Sequence, residues 1–407
     1  MLVNLRYTVG RLSAVAARPL CLFLANNYLS QGTAASLAIT ILATSLALTL
    51  IAADTHRRYY VREFEVEKRS NYLLFYVYVT SLLLLSMLGA VFVLVVVYYF
   101  TKSAEVAAVA TLYFAGEKLA DELLRHKLFE RAFTSWGSAA TARGLLQVSG
   151  VLIAVMLGGY NVPAALIILI LAASALTVFL PGTPVRLLRK FVSMRLSTIA
   201  HLARRAIAAM WNGWMLWVIA VLGASVAYVD RIVALMVAKP LLPLFTLVVM
   251  AFSVLQMSVD FYYVSAHRTS FLQGRISIKR VFTSGSFLGS LLGGFAVGGV
   301  CCAVLLLLSK NGPDFPIAYV LAIALLQVSA ALTAAPFQIL YWRGELRRIL
   351  LTEVGFWLLL LALVTLVKAL GGSPAAMFAA VVGCALFRLT LYIVELPAAT
   401  KMVEARS

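Results

Sequence analysis

Long apolar runs separated by short polar intervals set the pattern of this chain. Runs near 8–26, 34–53, 72–100, 104–122, 140–158 and 162–180 each match the roughly 20 residues a helix needs to cross a bilayer. After a basic interval, six more follow near 206–229, 241–265, 281–309, 316–339, 349–369 and 374–395. The stretch from Trp211 to Ala266 is apolar almost throughout. It is divided at Ala238-Lys239-Pro240, because a Lys-Pro pair makes a poor helix interior and a serviceable connector. The pattern predicts an all-α, polytopic membrane protein of about twelve transmembrane helices.

The basic residues test that count. With the N-terminus and every second loop assigned to one side, that side holds 24 of the 34 lysines and arginines. The other ten divide equally between the opposite loops and the spans themselves. Such asymmetry marks the cytoplasmic face, so both termini are expected there. Composition agrees: 63% of residues are hydrophobic and 12% charged, against roughly 45–50% and about 25% in soluble proteins. The formal charge of +18 is then a matter of topology rather than of nucleic-acid binding. Cys21, Cys301, Cys302 and Cys384 all fall in apolar stretches and indicate no disulfide framework. The first span begins without a small-residue cleavage site, so no removable signal peptide is expected. Outer loops such as Thr101-Lys102 and Gly159-Tyr160-Asn161 are too short for a receptor ectodomain or for the external catalytic loop of a glycan polymerase.

The longest polar interval, Pro181 to Arg205, divides the chain into residues 1–180, a linker over 181–205, and residues 206–407, six spans on either side. Two-halved plans are common in secondary transporters, with the substrate near midplane between the halves. A faint echo supports it: the second span ends at Asp54 and the eighth at Asp260, each before a basic loop. The linker, with Arg186, Arg189, Lys190 and Arg195 set among Leu187, Leu188, Phe191 and Met194, reads as a basic amphipathic helix on the inner leaflet. The alternative is a topology anchor with no further role.

No phosphate loop, zinc-binding pattern, nucleophile elbow or aspartate-rich magnesium motif is present, so no catalytic residue, metal or cofactor is expected. The informative residues are charges inside spans, each of which costs at least ~2.5–3.5 kcal/mol at the bilayer centre unless it meets a cavity or a partner. Arg11 and Arg18 lie two turns apart on one face of the first span, and Pro19 follows directly. They are candidate cavity cations for an anionic substrate, as are Arg143 and Arg388. The alternatives are snorkelling of Arg11 and pairing of Arg18 with an acid. Glu117 is a candidate partner of Arg18 or Arg143 in a gate between halves, and Lys118 with Glu122 has the spacing of a pair within one helix. Glu353 and Glu395 are placed to pair with nearby basic residues. Asp54 and Asp260 are candidates for an inner gate or cation coupling. Asp230 and Arg231, at the expected outer end of the seventh span, form either an interfacial pair or an outer latch. Gln147, Asn212, Gln256 and Gln327 either bond sugars or tie helices together.

Two segments carry a resemblance. Arg18-Pro-Leu-Cys-Leu-Phe-Leu-Ala-Asn-Asn-Tyr-Leu-Ser-Gln-Gly32 resembles the first helix and short polar connector of the polysaccharide-export and lipid-linked oligosaccharide flippases of the multidrug/oligosaccharidyl-lipid/polysaccharide (MOP) superfamily. Tyr228-Val-Asp230-Arg231-Ile-Val resembles the family's Asp-Arg/Lys pair and following aliphatics at the end of the seventh helix. The resemblance implies a V-shaped bundle of two six-helix halves, like that of multidrug and toxic-compound extrusion (MATE) transporters. It also implies alternating access that moves an isoprenoid-pyrophosphate-linked glycan outward across a bacterial inner membrane, with membrane lipids and polysaccharide-assembly proteins as partners. Arg18, Asp230 and Arg231 match family positions, and Arg11 follows from its face. A cation-coupled drug exporter of the same superfamily and a non-catalytic component of a secretion complex are the alternatives. A first span whose only charges are positive favours an anionic cargo.

Overall fold

The computed structural model describes residues 2–52, 72–129, 133–179, 196–212, 214–259, 281–310, 312–342 and 344–404. Among them there is no strand. Up to Ser174 six helices follow in order: α1 (Leu2–Tyr28), α2 (Gln31–Ala52), α3 (Tyr72–Thr101), α4 (Ala104–Phe129), α5 (Phe133–Gly158) and α6 (Ala164–Ser174). They are followed by α7 (Leu196–Asn212), α8 (Trp214–Val226), α9 (Val229–Val237) and α10 (Leu242–Ser258). The last four are α11 (Gly285–Leu308), α12 (Ile317–Trp342), α13 (Leu346–Ala369) and α14 (Pro374–Glu404).

Eight of these are long and apolar enough to cross a membrane, namely α2, α3, α5 and α10 to α14. A ninth span results if α8 and α9, bent by 56° at their junction, are taken together. The three expected spans that fall short are α1, α4 and α6. Helix α6 is short, with its apolar stretch over Ala164–Thr177. Helices α1 and α4 carry charges: Arg6, Arg11 and Arg18 in the first, and Glu105, Glu117, Lys118, Asp121 and Glu122 in the second. Helices α1 and α4 thus fall short because of the charge they carry, and α6 because of its length.

The expected boundary at Lys239-Pro240 is a single 3-10 turn, Lys239–Leu241, leading directly into α10. The expected end of the seventh span near 229 is instead a bend, after which the helix resumes as α9 and reaches Val237. Asp230 and Arg231 therefore sit in the first turn of a helix and not in an outer connector.

Turn chemistry explains several of the junctions. Ser30 Oγ accepts the Thr33 amide at 3.1 Å and caps α2, while Thr33 Oγ1 donates to the Val162 carbonyl at 3.2 Å and ties α2 to the start of α6. Lys102 joins α3 to α4 with a φ of 57°. Glycines 344 and 371 supply the positive φ between α12 and α13 and between α13 and α14.

The chain divides into two compact units, Met1–Trp217 and Val218–Ser407, with the division inside α8. In the first, α1 and α5 make the closest approach. A Cβ on Gly10 would lie 2.7 Å from the Gly137 backbone, and one on Gly144 would lie 2.9 Å from the Ser13 carbonyl oxygen. Small residues let the two backbones touch, as in membrane-helix pairs generally. In the second unit, α10 and α11 meet in the same manner, through Gly294 against Leu255 and Gly298 against Ala251 and Phe252. An aromatic cluster of Phe245, Phe315, Tyr319 and Phe378 holds α10, α12 and α14 together, with the Phe245 and Phe378 rings stacked at 4.9 Å. Outward-facing leucines, valines and phenylalanines such as Leu292, Phe295, Val300 and Leu307 on α11 remain exposed, as suits contact with lipid.

Candidate functional site

The first unit gathers its buried charge around one carboxylate. Glu117, on α4, is 2% exposed and forms salt bridges with both Arg18 of α1 and Arg143 of α5. The amide of Gln147, one turn beyond Arg143, lies 3.5 Å from the same carboxylate. Tyr113, one turn before Glu117, is fully buried. The α1–α5 contact at Gly10, Gly137 and Gly144 brings the two arginines to one level, and Arg143 is the neighbour of Gly144. Two guanidinium groups thus share one carboxylate. Arg143 Nε is buried and has no acceptor among the described residues. Arg18 keeps about a third of its side chain exposed, at 29%. A cation pair so placed, partly open and with a donor to spare, is suited to a second anion.

One residue further along α4, Lys118 bonds Glu122 at 2.6 Å, and Tyr78 of α3 donates to the other oxygen of Glu122 at 2.6 Å. The Lys118–Glu122 spacing announced this pair, whereas Tyr78 carried no sequence signal. Glu117, expected in a gate between halves, belongs with both of its arginines to the first unit.

The second unit also centres on a buried glutamate, with a different charge balance. Glu353 of α13 is fully buried and accepts three hydrogen bonds from Arg388 of α14, at 2.5 to 3.1 Å. Tyr392, one turn beyond Arg388, donates to it at 2.5 Å. The guanidinium lies 5.9 Å from the Phe356 ring and 5.4 Å from the Tyr392 ring. Gly223 of α8 faces the pair, its Cβ direction 3.6 Å from Glu353 Oε1. Arg388 is thus matched by its own counterion.

Beside this pair a cavity of about 30 Å³ is lined by residues that include Asp230, Gln256, Gln327, Phe356 and Arg388. It is large enough for one or two waters. The bend between α8 and α9 sets its polar wall. Breaking the helix there frees the Ala227 carbonyl, and Arg231 Nη2 donates to it at 2.5 Å. Asp230 Oδ1 accepts the Arg231 amide at 2.7 Å, a charge-complementary position at the N-terminus of α9. Its other oxygen, Oδ2, is buried and has no hydrogen-bond donor among the described residues. Gln256 and Gln327 meet at this cavity.

Of the remaining expected residues, Asp54 and Asp260 lie outside the described residues, as do the side chains of Arg11, Asn212 and Glu395 and the linker over 181–195. No group of three or more His, Cys, Asp or Glu side chains able to hold a metal occurs among the described residues.

No protein-family model matches the chain, and no curated protein matches it. Among solved structures, the chain is similar to an inward-facing multidrug-resistance transporter of the MATE family, within the MOP superfamily. The two are 14% identical, with a TM-score of 0.52 over 98% of this chain and 99% of that one. A eukaryotic MATE transporter, AtDTX14, aligns at 11% identity and a TM-score of 0.44 over 99% and 97% of the respective chains. The first likeness gives this chain a MATE-like polytopic fold, as its helices and their apolar faces already require.

Proposed function

We propose that this protein is a membrane transporter that moves an anionic, isoprenoid-pyrophosphate-linked saccharide from the inner to the outer leaflet of a bacterial cytoplasmic membrane by alternating access. The observation that carries the reading is the sharing of Glu117 by Arg18 and Arg143. A fold of apolar helices brings two arginines from separate helices to one buried carboxylate, and Arg143 Nε there has no acceptor among the described residues. A pyrophosphate, with several acceptor oxygens, is the complementary ligand for a pair of guanidinium groups. The saccharide would then travel among amides and hydroxyls, and the isoprenoid along the lipid-facing surface. No catalytic role is assigned to any residue.

A second reading, a cation-coupled drug exporter, draws support from the cavity in the second unit. There Asp230 carries a buried oxygen with no donor among the described residues, suited to a proton or small cation. The two readings differ in the sign of the cargo.

The test is deletion of the gene in its native host with mass spectrometry of the lipid extract. Accumulation of one isoprenoid-pyrophosphate glycan, reversed by the wild-type gene and not by Arg18→Ala, is the expected result. An unchanged lipid profile in a strain lacking a redundant flippase sinks the glycan reading and moves the exporter forward.

A further inference from the structure

Helix α7 carries a feature that the transport site does not use. From Leu196 to Trp217 the sequence contains no acidic residue, while His201, Arg204 and Arg205 are all exposed. The helix packs on α3, and its Leu202 and Ala206, one turn apart, are buried, with Ile199 half-buried one turn earlier. At about 100° per residue these three define its protein-facing side. On the same wheel His201, Arg204 and Arg205 occupy the opposite side, and Ile207 and Trp211 occupy the flank between, adjoining Arg204. Ile207 and Trp211 are large apolar side chains left exposed, and Trp214 follows them. The helix therefore has three faces: one on protein, one apolar and open, one cationic and open.

The next helix, α8, follows α7 closely and indicates its level. Trp217 Nε1 donates to the Leu50 carbonyl at 3.2 Å, near the C-terminal end of α2. On the topology assigned from the basic loops, that end of α2 is cytoplasmic, so α7 lies at or beyond the inner headgroup layer. Tryptophan flanked by cations is the composition of an interfacial helix, with aromatics among the acyl-chain ends and cations among the phosphates.

We propose that α7 is a binding surface for anionic phospholipid headgroups of the inner leaflet, with Arg204, Arg205 and His201 holding the phosphates and Trp211 and Ile207 seated in the acyl-chain boundary. The argument for this occupant is charge complementarity: an exposed cationic face with no acid within its own helix, next to an exposed apolar flank that an acidic soluble protein would leave wet. The surface belongs to the first unit and reads the composition of the bilayer around it.

The test uses the full-length protein, purified in neutral detergent and mixed with phosphatidylglycerol or phosphatidylcholine, with retained lipids counted by native mass spectrometry. Each surface cation near an anionic leaflet contributes about fivefold in affinity. Arg204→Gln and Arg205→Gln are each expected to weaken phosphatidylglycerol retention about fivefold, and the double variant about 25-fold, with phosphatidylcholine retention unchanged. Lys368→Gln, which removes an exposed cation on the opposite side of the membrane by the same topology, serves as the charge-matched control and should leave retention as in wild type. All three positions are exposed, so an elution profile matching wild type is expected. Equal phosphatidylglycerol retention by wild type and the double variant overturns the proposal and points the cationic face toward an acidic protein. Equal losses in the Lys368→Gln control also overturn it, by showing that net charge rather than α7 attracts the lipid.

Discussion

Each unit of this protein buries one glutamate that anchors a polar cluster, and the two clusters are balanced differently. Around Glu353 the count closes: one carboxylate, one guanidinium bound by three hydrogen bonds, and one tyrosine hydroxyl, all within α13 and α14. Around Glu117 two guanidinium groups arrive from α1 and α5 onto one carboxylate, and Arg143 Nε has no acceptor among the described residues. A closed cluster works as a clasp between two helices. A carboxylate shared by two arginines from separate helices is where the proposed anionic cargo would be held, since a charge kept inside an apolar helix faces either a partner or a cavity. On that proposal the same residue types would serve packing in one unit and recognition in the other.

The largest expected effect tests the clasp. Glu353→Ala leaves Arg388 buried with Tyr392 but without a counterion, and removing one partner of a buried pair costs about 3–5 kcal/mol. Thermal unfolding in detergent should show a clear loss of stability, most of it recovered when Arg388→Met is added, since the second change removes the stranded charge. A single variant as stable as wild type would show that the pair is not a clasp. Failure of the double variant to recover would show that Arg388 also holds something else, the adjoining cavity being the first place to look.

A smaller effect is expected where the Glu117 cluster is assembled. A Cβ at Gly10 would lie 2.7 Å from both Cα and O of Gly137, and no flexible side chain is there to yield. Gly10→Ala should separate α1 from α5 and destabilise by about 1–3 kcal/mol, in the range of overpacking. It should also draw Arg18 away from Glu117. Gly289→Ala is the control, since nothing lies within 4 Å of its Cβ direction, and its unfolding should match wild type. Equal behaviour of the two would mean that the α1–α5 contact does not set the geometry of the cluster.

Much of this was legible in the amino-acid sequence, for a physical reason. A bilayer demands long apolar helices, so hydropathy and the alternation of basic loops placed helix on every expected span, and any charge inside one stood out. Arg18, Glu117, Arg143 and Arg388 were visible on that ground alone. Glu117 was also a candidate partner of Arg18 or Arg143, and Glu353 of a nearby basic residue; that Glu117 takes both arginines and Glu353 takes Arg388 depends on which helices touch. Gly10, Gly137 and Gly144 look like any small residues in a membrane helix until the two backbones are seen in contact. Tyr78 and Tyr392 are ordinary members of a set of 17 tyrosines, and nothing local marks them as donors to buried carboxylates. The bend after Val226 was hidden for another reason. Neither proline nor glycine lies in Val226-Ala227-Tyr228, and the side chain that steadies the break is Arg231, four residues beyond the carbonyl it caps.

The smallest expected effect on stability separates the two clusters most sharply. Arg18→Ala removes one of two cations from Glu117, so Arg143 still neutralises the carboxylate and no buried charge is stranded. Arg18 is also the more exposed of the two, at 29% against 14% for Arg143, so solvent already screens part of its interaction. The loss should be about 1 kcal/mol or less, well below that of Glu353→Ala, and the variant should insert and unfold nearly as wild type does. If Arg18→Ala instead unfolds as readily as Glu353→Ala, both arginines are needed to hold Glu117. Arg18 is then structural, and the contrast between the two units fails. A stable Arg18→Ala protein that no longer clears the accumulated lipid-linked glycan places the second arginine with the cargo.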